Sequence, residues 1–232
     1  MEFPKVRRSI RSKVSAGREM TKMLFDRPDW EKSILSELPF GPDASTAYLT
    51  ELQKASVYLE FGSGSSTIVA SGSSIERLVS VESDADFLRA VSHRIYNSGT
   101  PIPQVDLLQA NIGATGPWGV PLLKARAWGS RRKWPRYSTA PWSDFGPDFA
   151  ADLILIDGRF RVACALAVVT NQASSKWTML VDDFDERSEY QPITAFAQLK
   201  EMRGRMAVFS PKSSIDLLEA RNALEFFQSD WR

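Results

Sequence analysis

Short apolar runs and longer amphipathic stretches alternate along most of this chain. Ser56–Phe61, Leu78–Glu82, Pro103–Leu108, Leu153–Asp157, Trp177–Val181 and Met206–Ser210 read as strands, rich in Val, Ile, Leu and Phe. Leu153-Ile154-Leu155-Ile156 is apolar on both faces, as a covered parallel strand must be. Between them lie helical patterns. Pro42-Asp43 opens one, with Tyr48, Leu49 and Leu52 as its stripe. Ser83 is the expected cap of a second, buried through Leu88, Val91 and Ile95. The Ala-rich Phe160–Val169 is a third. Pro192–Arg203 reads as a fourth, with Gly204 just past its end, and a short strand near Ile215–Leu218 precedes a terminal helix through Phe226 and Phe227. The alternation predicts a doubly wound α/β fold with a mainly parallel, Rossmann-like sheet of about seven strands. Residues 1–42 are expected to form a helical N-terminal extension and residues 43–232 the main domain.

Composition narrows the chemistry. The chain has 232 residues, one Cys and one His, and a net charge of +1. It can form no internal disulfide and no Cys/His zinc site, and a His-based triad would have to run through His93. His93 lies on the helix face away from Leu88, Val91 and Ile95, so it reads as a surface residue, and Cys164 as a small buried hydrophobe. The N-terminus has no secretory apolar run and nothing approaches a membrane span, which points to a cytoplasmic protein. Residues 1–22 carry seven Lys or Arg against two Glu, a solvated lead-in or an arm for a membrane surface or RNA. The balanced total argues against a dedicated nucleic-acid binder.

Ligands of doubly wound sheets bind beyond the carboxyl ends of the strands. The acids collect there: Glu60, Glu82, Asp157, and Asp182 with Asp183. Glu60-Phe61-Gly62-Ser63-Gly64 makes a tight turn after the first strand, and Glu82 follows 22 positions later, a separation that suits an acid on ribose hydroxyls. In a dinucleotide fold the third glycine of the turn would stand at Thr67. An acid at Glu60 suits a cationic ligand better than a pyrophosphate.

These segments, with Asp152-Leu153-Ile154-Leu155-Ile156-Asp157-Gly158 and Leu180-Val181-Asp182-Asp183, resemble the class I S-adenosylmethionine-dependent methyltransferases over about residues 43–210. The look is nearest to small-molecule O-methyltransferases. The resemblance implies that Glu60, Gly62, Ser63 and Gly64 line the methionine end of the cofactor. It implies that Glu82, with Ser83, holds the ribose, that Asn111 lies near adenine, and that Asp157 stands by the methionine part or the substrate, as the catalytic acid or base. Ser66 stands where the family has a third glycine. Metal-dependent members place one acid after the fourth strand and a pair after the fifth. Asp157, Asp182 and Asp183 match that pattern, so a divalent cation such as Mg²⁺ is one expectation and a metal-free strand-end turn the other.

Residues 112–148 interrupt the rhythm and hold four of the seven Trp, with Tyr137 and several Lys and Arg. A substrate lid would use Trp118, Trp134, Tyr137 and Trp142 as walls. Arg159 and Arg161 would either bind an anionic substrate or pair with acids at the sheet edge. The other readings are a nucleic-acid surface and a flap whose aromatics fill a small core. The expected function is methyl transfer from S-adenosylmethionine to an O or N of a small, anionic acceptor. The alternatives are a non-catalytic protein of the same fold binding a nucleoside cofactor or a partner, an aminopropyl transferase, and an RNA methyltransferase.

Overall fold

The computed structural model describes residues 37–98, 104–122 and 131–232. The basic arm and Lys124, Arg126 and Trp128 of the insertion lie outside the described residues. No helix among those described is long and apolar enough to cross a membrane.

The elements follow in chain order. α1 is Pro42–Leu52, β1 Val57–Phe61, α2 Ser65–Ser71, β2 Arg77–Glu82, α3 Ala85–Tyr96 and β3 Gln104–Gln109. After the insertion, whose second half forms α4 (Pro135–Phe145), come β4 Leu153–Ile156, α5 Arg161–Asn171 and β5 Thr178–Val181. A short α6 (Ile193–Phe196), β6 Ala197–Arg203, β7 Met206–Pro211 and α7 Leu217–Phe227 complete it. The strands form a seven-stranded sheet in the order β3-β2-β1-β4-β5-β7-β6, with β7 antiparallel to both neighbours and the rest parallel.

The period of two along the strands divides the core. Leu59, Phe61, Val79, Val81, Ile154, Ile156, Met179 and Val181 face α4, α5 and α7. Tyr58, Leu78, Leu153, Leu155 and Leu180 face the opposite side, where α1 packs through Ala44, Tyr48 and Leu52. Tyr48 sits edge-on to Phe40 and Tyr58 at 5.7 and 5.9 Å, and its hydroxyl donates to the Ser66 carbonyl at 2.9 Å. Leu49, expected in the α1 stripe, is exposed. Chain order reverses between β1 and β4, which makes the space beyond Phe61 and Ile156 the topological switch point.

Three local expectations are corrected. Ala197–Arg203 is an edge strand, not helix. Gly204, at φ +57, belongs to the two-residue hairpin Gly204-Arg205 rather than to a helix end. The segment carries good helix formers, but pairing with β7 overrides that weak preference, and a bulge between Leu199 and Glu201 and its charged side chains protect the free edge. The expected strand near Ile215 is the entry to α7, capped by Asp216, whose carboxylate accepts from Leu218 N and Glu219 N. Asp84, not Ser83, caps α3: its carboxylate accepts from Asp86 N and Phe87 N at 2.9 Å. His93 is exposed beside Asn97, and Cys164 is buried in α5.

Candidate functional site

Four strands deliver their acids to one edge. β1 ends in the turn Gly62-Ser63-Gly64, where Gly62 takes φ +104 and a side-chain carbon would lie 2.6 Å from the Gly158 nitrogen. Only glycine fits there, because the turns after β1 and β4 touch backbone to backbone. Above Gly64 a side chain would meet nothing within 4 Å, so this part of the turn faces open space. Ser63 is directed inward, 2.6 Å from the Ser80 hydroxyl.

Glu60, expected to face a cationic ligand, is turned into the fold. Its side chain is wholly buried and accepts from the hydroxyls of Tyr58, Ser66, Thr67 and Ser80, the first two at 2.8 Å and the last at 2.7 Å. Thr67 Oγ1 also accepts from the Gly64 nitrogen at 2.7 Å. Burial pushes the Glu60 carboxyl above its usual range, and the four hydroxyls pull it back. Ser66, which replaces the third glycine of the motif, is thus a ligand of Glu60. The acid stiffens the turn instead of contacting what lies over it.

Glu82 differs. One oxygen, Oε1, accepts from Ser83 N, Ser83 Oγ and Asp84 N at 2.6, 3.0 and 2.8 Å. No hydrogen bond from a described residue reaches Oε2. The acid is oriented by backbone donors with half its accepting capacity left over. Asn111 lies exposed just past β3, its Oδ1 accepting from Gly113 N at 3.0 Å.

Asp157, Asp182 and Asp183 do converge, but on arginines. Arg205 makes a two-pronged contact with buried Asp182, at 2.9 Å from Nε and 2.6 Å from Nη2, and its Nη1 lies 3.4 Å from Asp183. Arg161 lies 3.1 Å from the Asp157 carboxylate and 3.4 Å from that of Asp183. Among the described residues no group of three acids, His or Cys is arranged to hold a metal ion. The expected divalent site is therefore corrected: a dication would have to displace two guanidinium groups that already partner the carboxylates. The sequence pattern over Pro192–Arg203 suits a helix, so Arg205 on the hairpin is not legible as a partner of Asp182 without the fold.

Of its two expected roles, Arg161 takes the pairing with acids at the sheet edge. It is buried, and Nε donates to Gly158 O at 3.0 Å, Nη1 to Asp182 O, and Nη2 to Asp157 O at 2.8 Å. It staples the loops after β4 and β5 together and is not available to an acceptor. Its neighbour Arg159 points elsewhere: a side-chain carbon on Gly119 would lie 3.6 Å from Arg159 Cγ and 3.1 Å from Ser83 Oγ.

Of the expected aromatic walls, only Trp118 is exposed, at 85%. Trp134, Tyr137 and Trp142 are buried in the main core, a correction with a simple cause: α4 lays its apolar side on the sheet and α5. Trp142 is far from the site, since it packs edge-on to Phe149, beside Phe145 and the Arg77 guanidinium at the amino end of β2. Tyr137 does reach the site. Its hydroxyl would lie 2.1 Å from a side-chain carbon on Gly158, so that glycine too is required.

Left-handed backbone marks the same edge. Among the described residues the non-glycine positions with positive φ are Trp118, Phe160 and Asp183, at 60°, 55° and 56°. All three stand on turns at the carboxyl end of the sheet. Bulky residues hold such conformations only where the surroundings enforce them, and such positions cluster at functional sites. Phe160 is wedged edge-on against Trp134 and tilted on Tyr137, at 5.5 and 5.6 Å. Beside it, a cleft of about 550 Å³ is lined by Arg131, Trp134, Pro192, Phe227, Trp231 and their neighbours. Its lining comes from the segment before α4, the loop after β5 and the end of α7 with the residues that follow it.

Burial, with Asp182 and Asp183 adding to it and Arg161 opposing, raises the Asp157 carboxyl to about 7. An acid raised in the fold holds a proton that the unfolded chain has released. Its contribution to stability is complete below the unfolded value of about 4 and disappears as pH rises through 7. Wild-type melting temperature is therefore expected to fall between pH 5 and 8, and Asp157→Asn to flatten that slope. Equal slopes for the two proteins would remove Asp157 as the source.

No family model matches the sequence, and no curated protein matches it. Among solved structures, the chain is similar to a methyltransferase-like protein from Silicibacter pomeroyi. The two are 31% identical over 84% of this chain and 97% of that one, with a TM-score of 0.74. A putative RNA methyltransferase from Pyrococcus horikoshii matches at 10% identity, over 89% of this chain and 100% of its own, with a TM-score of 0.39. Human methyltransferase-like protein 13 in complex with SAH matches at 14% identity, over 87% and 93%, with a TM-score of 0.37.

Proposed function

Because the chain belongs to the class I S-adenosylmethionine-dependent methyltransferase superfamily, we propose that it binds S-adenosylmethionine and transfers its methyl group to an O or N of a small acceptor. The observation that carries this reading is Glu82. Three donors from Ser83 and Asp84 fix one carboxylate oxygen, and the other is open at the end of β2, where a ribose diol would approach. The open face of Gly64 leaves room for the rest of the ligand.

When bound, S-adenosylmethionine supplies a methyl group already activated on a sulfonium. What remains for the protein is alignment of the acceptor and removal of its proton. Asp157 suits the second task, since a carboxyl near 7 is half ionised at neutral pH and accepts a proton readily. Arg161 holds it in place from the side. The acceptor enters from the aromatic cleft beside Phe160 and Trp134. A chain with one exposed His and one buried Cys suits this chemistry, which needs no covalent nucleophile.

Calorimetry with S-adenosylmethionine and S-adenosylhomocysteine tests the reading. Wild type is expected to bind both. Glu82→Ala is expected to weaken binding about tenfold or more, the worth of hydrogen bonds to a charged acceptor. Glu82→Gln, which keeps the loop bonded, separates ribose contact from loop support. No binding by wild type would overturn the proposal, and unchanged affinity in both variants would remove Glu82 from the ribose.

A further inference from the structure

We propose that Arg159 is an oxyanion-binding residue of the strand-end site, holding a carboxylate or phosphate near the ends of β2 and β4. Two arginines one residue apart are in opposite states. Arg161 has its guanidinium saturated by three backbone carbonyls and Asp157. Arg159 makes no ion pair with any described residue, and its Nε is buried with no hydrogen-bond partner. Its Cγ and the Ser83 hydroxyl both lie against Gly119, so the stem stands between the turns that follow β2 and β4. The turn above it is the one held left-handed at Trp118.

A guanidinium in proteins stays charged, so a half-buried one without a counter-ion is costly. Burial and the nearby Arg161 charge both oppose its ionisation, while Tyr137, Tyr190 and Asp157 offset them in part. The remaining planar fork of donors matches a carboxylate or a phosphate. The other two arginines at these strand ends, Arg161 and Arg205, are already engaged with Asp157, Asp182 and Asp183. An oxyanion reaches this place from two sources. One is the carboxylate of the methionine part of S-adenosylmethionine, which rests on the function proposed above. The other is an anionic group on the acceptor.

Calorimetry on wild type, Arg159→Gln and Arg159→Lys separates the sources. The ligands are S-adenosylmethionine, its decarboxylated analogue, and inorganic phosphate added to protein saturated with S-adenosylhomocysteine. If the cofactor carboxylate is held, Arg159→Gln weakens S-adenosylmethionine about tenfold or more, with Arg159→Lys between, and leaves the decarboxylated analogue unchanged. If the acceptor's anion is held, both adenosyl ligands bind all three proteins alike. Phosphate then binds wild type, binds Arg159→Lys more weakly, and fails on Arg159→Gln. Should Arg159→Gln not fold, the lysine variant carries the test, because it keeps the charge and loses the fork. Phosphate binding that depends on Arg159, in a wild type that binds no S-adenosylmethionine, keeps this inference and sinks the cofactor reading. Equal affinities of wild type and folded variants for every ligand overturn it.

Discussion

Glu60→Ala is expected to lower the stability of the fold by about 3–5 kcal/mol, the range for leaving buried polar partners uncompensated. The substitution removes the acceptor of four hydroxyl groups, from Tyr58, Ser66, Thr67 and Ser80, at a place with no solvent to replace it. It also opens a cavity beneath the Gly62–Gly64 turn. For a domain of this size such a loss lowers the melting temperature by roughly 10 °C. Glu60→Gln retains an oxygen but turns an amide donor toward hydroxyls that are themselves donating, so an intermediate loss is expected. Thermal melting of the three proteins measures this. A shift of only a degree or two for Glu60→Ala would show that the hydroxyls re-pair with one another and that the acid is not the organiser of the turn.

The second large effect is at Arg161. Arg161→Ala releases the carbonyls of Asp157, Gly158 and Asp182 and strands the carboxylates of Asp157 and Asp183 with less positive charge nearby. A loss of about 3–5 kcal/mol is expected, as for other buried pairs deprived of one partner. Arg161→Lys separates charge from shape. An ammonium on a flexible stem cannot reach three carbonyls on two loops, so most of the loss should remain. Denaturant unfolding reports both. Full recovery of stability with lysine would reduce the residue to a counter-charge and remove the staple. Arg161 also differs from Arg159 in this respect: the first supports the loops, so its loss appears in stability, whereas loss of the second appears in ligand affinity.

Much of the fold was legible because its determinants are local. The strands through Leu59, Val79, Ile154 and Leu180 announce themselves by short runs rich in apolar residues, and their alternation with amphipathic helices implies a parallel sheet. The Gly62-Ser63-Gly64 turn and the acid at Glu82 were legible for the same reason. A sharp turn and a strand-end carboxylate are properties of a few adjacent residues. Ala197–Arg203 was not, since its residues favour helix and only the β7 partner makes it a strand. Gly204 fits a helix end and a hairpin equally well, so the place of Arg205 depends on the fold.

The site divides along the same line. Residue order alone shows which acids stand at the strand ends, that the chemistry lacks a His or Cys device, and that the insertion is aromatic and basic. Whether an acid faces ligand or fold depends on groups far away in sequence. Ser80, 20 positions on, helps turn Glu60 inward, and Arg205, 23 positions beyond Asp182, occupies the side of that carboxylate where a metal would bind. The same holds for the tryptophans, since Trp134 and Trp118 look alike in sequence and only packing against Phe160 buries one and leaves the other exposed. A side chain's identity is local, but its partners, and therefore its charge and its role, are fixed by contacts that only the folded chain brings within a few ångströms.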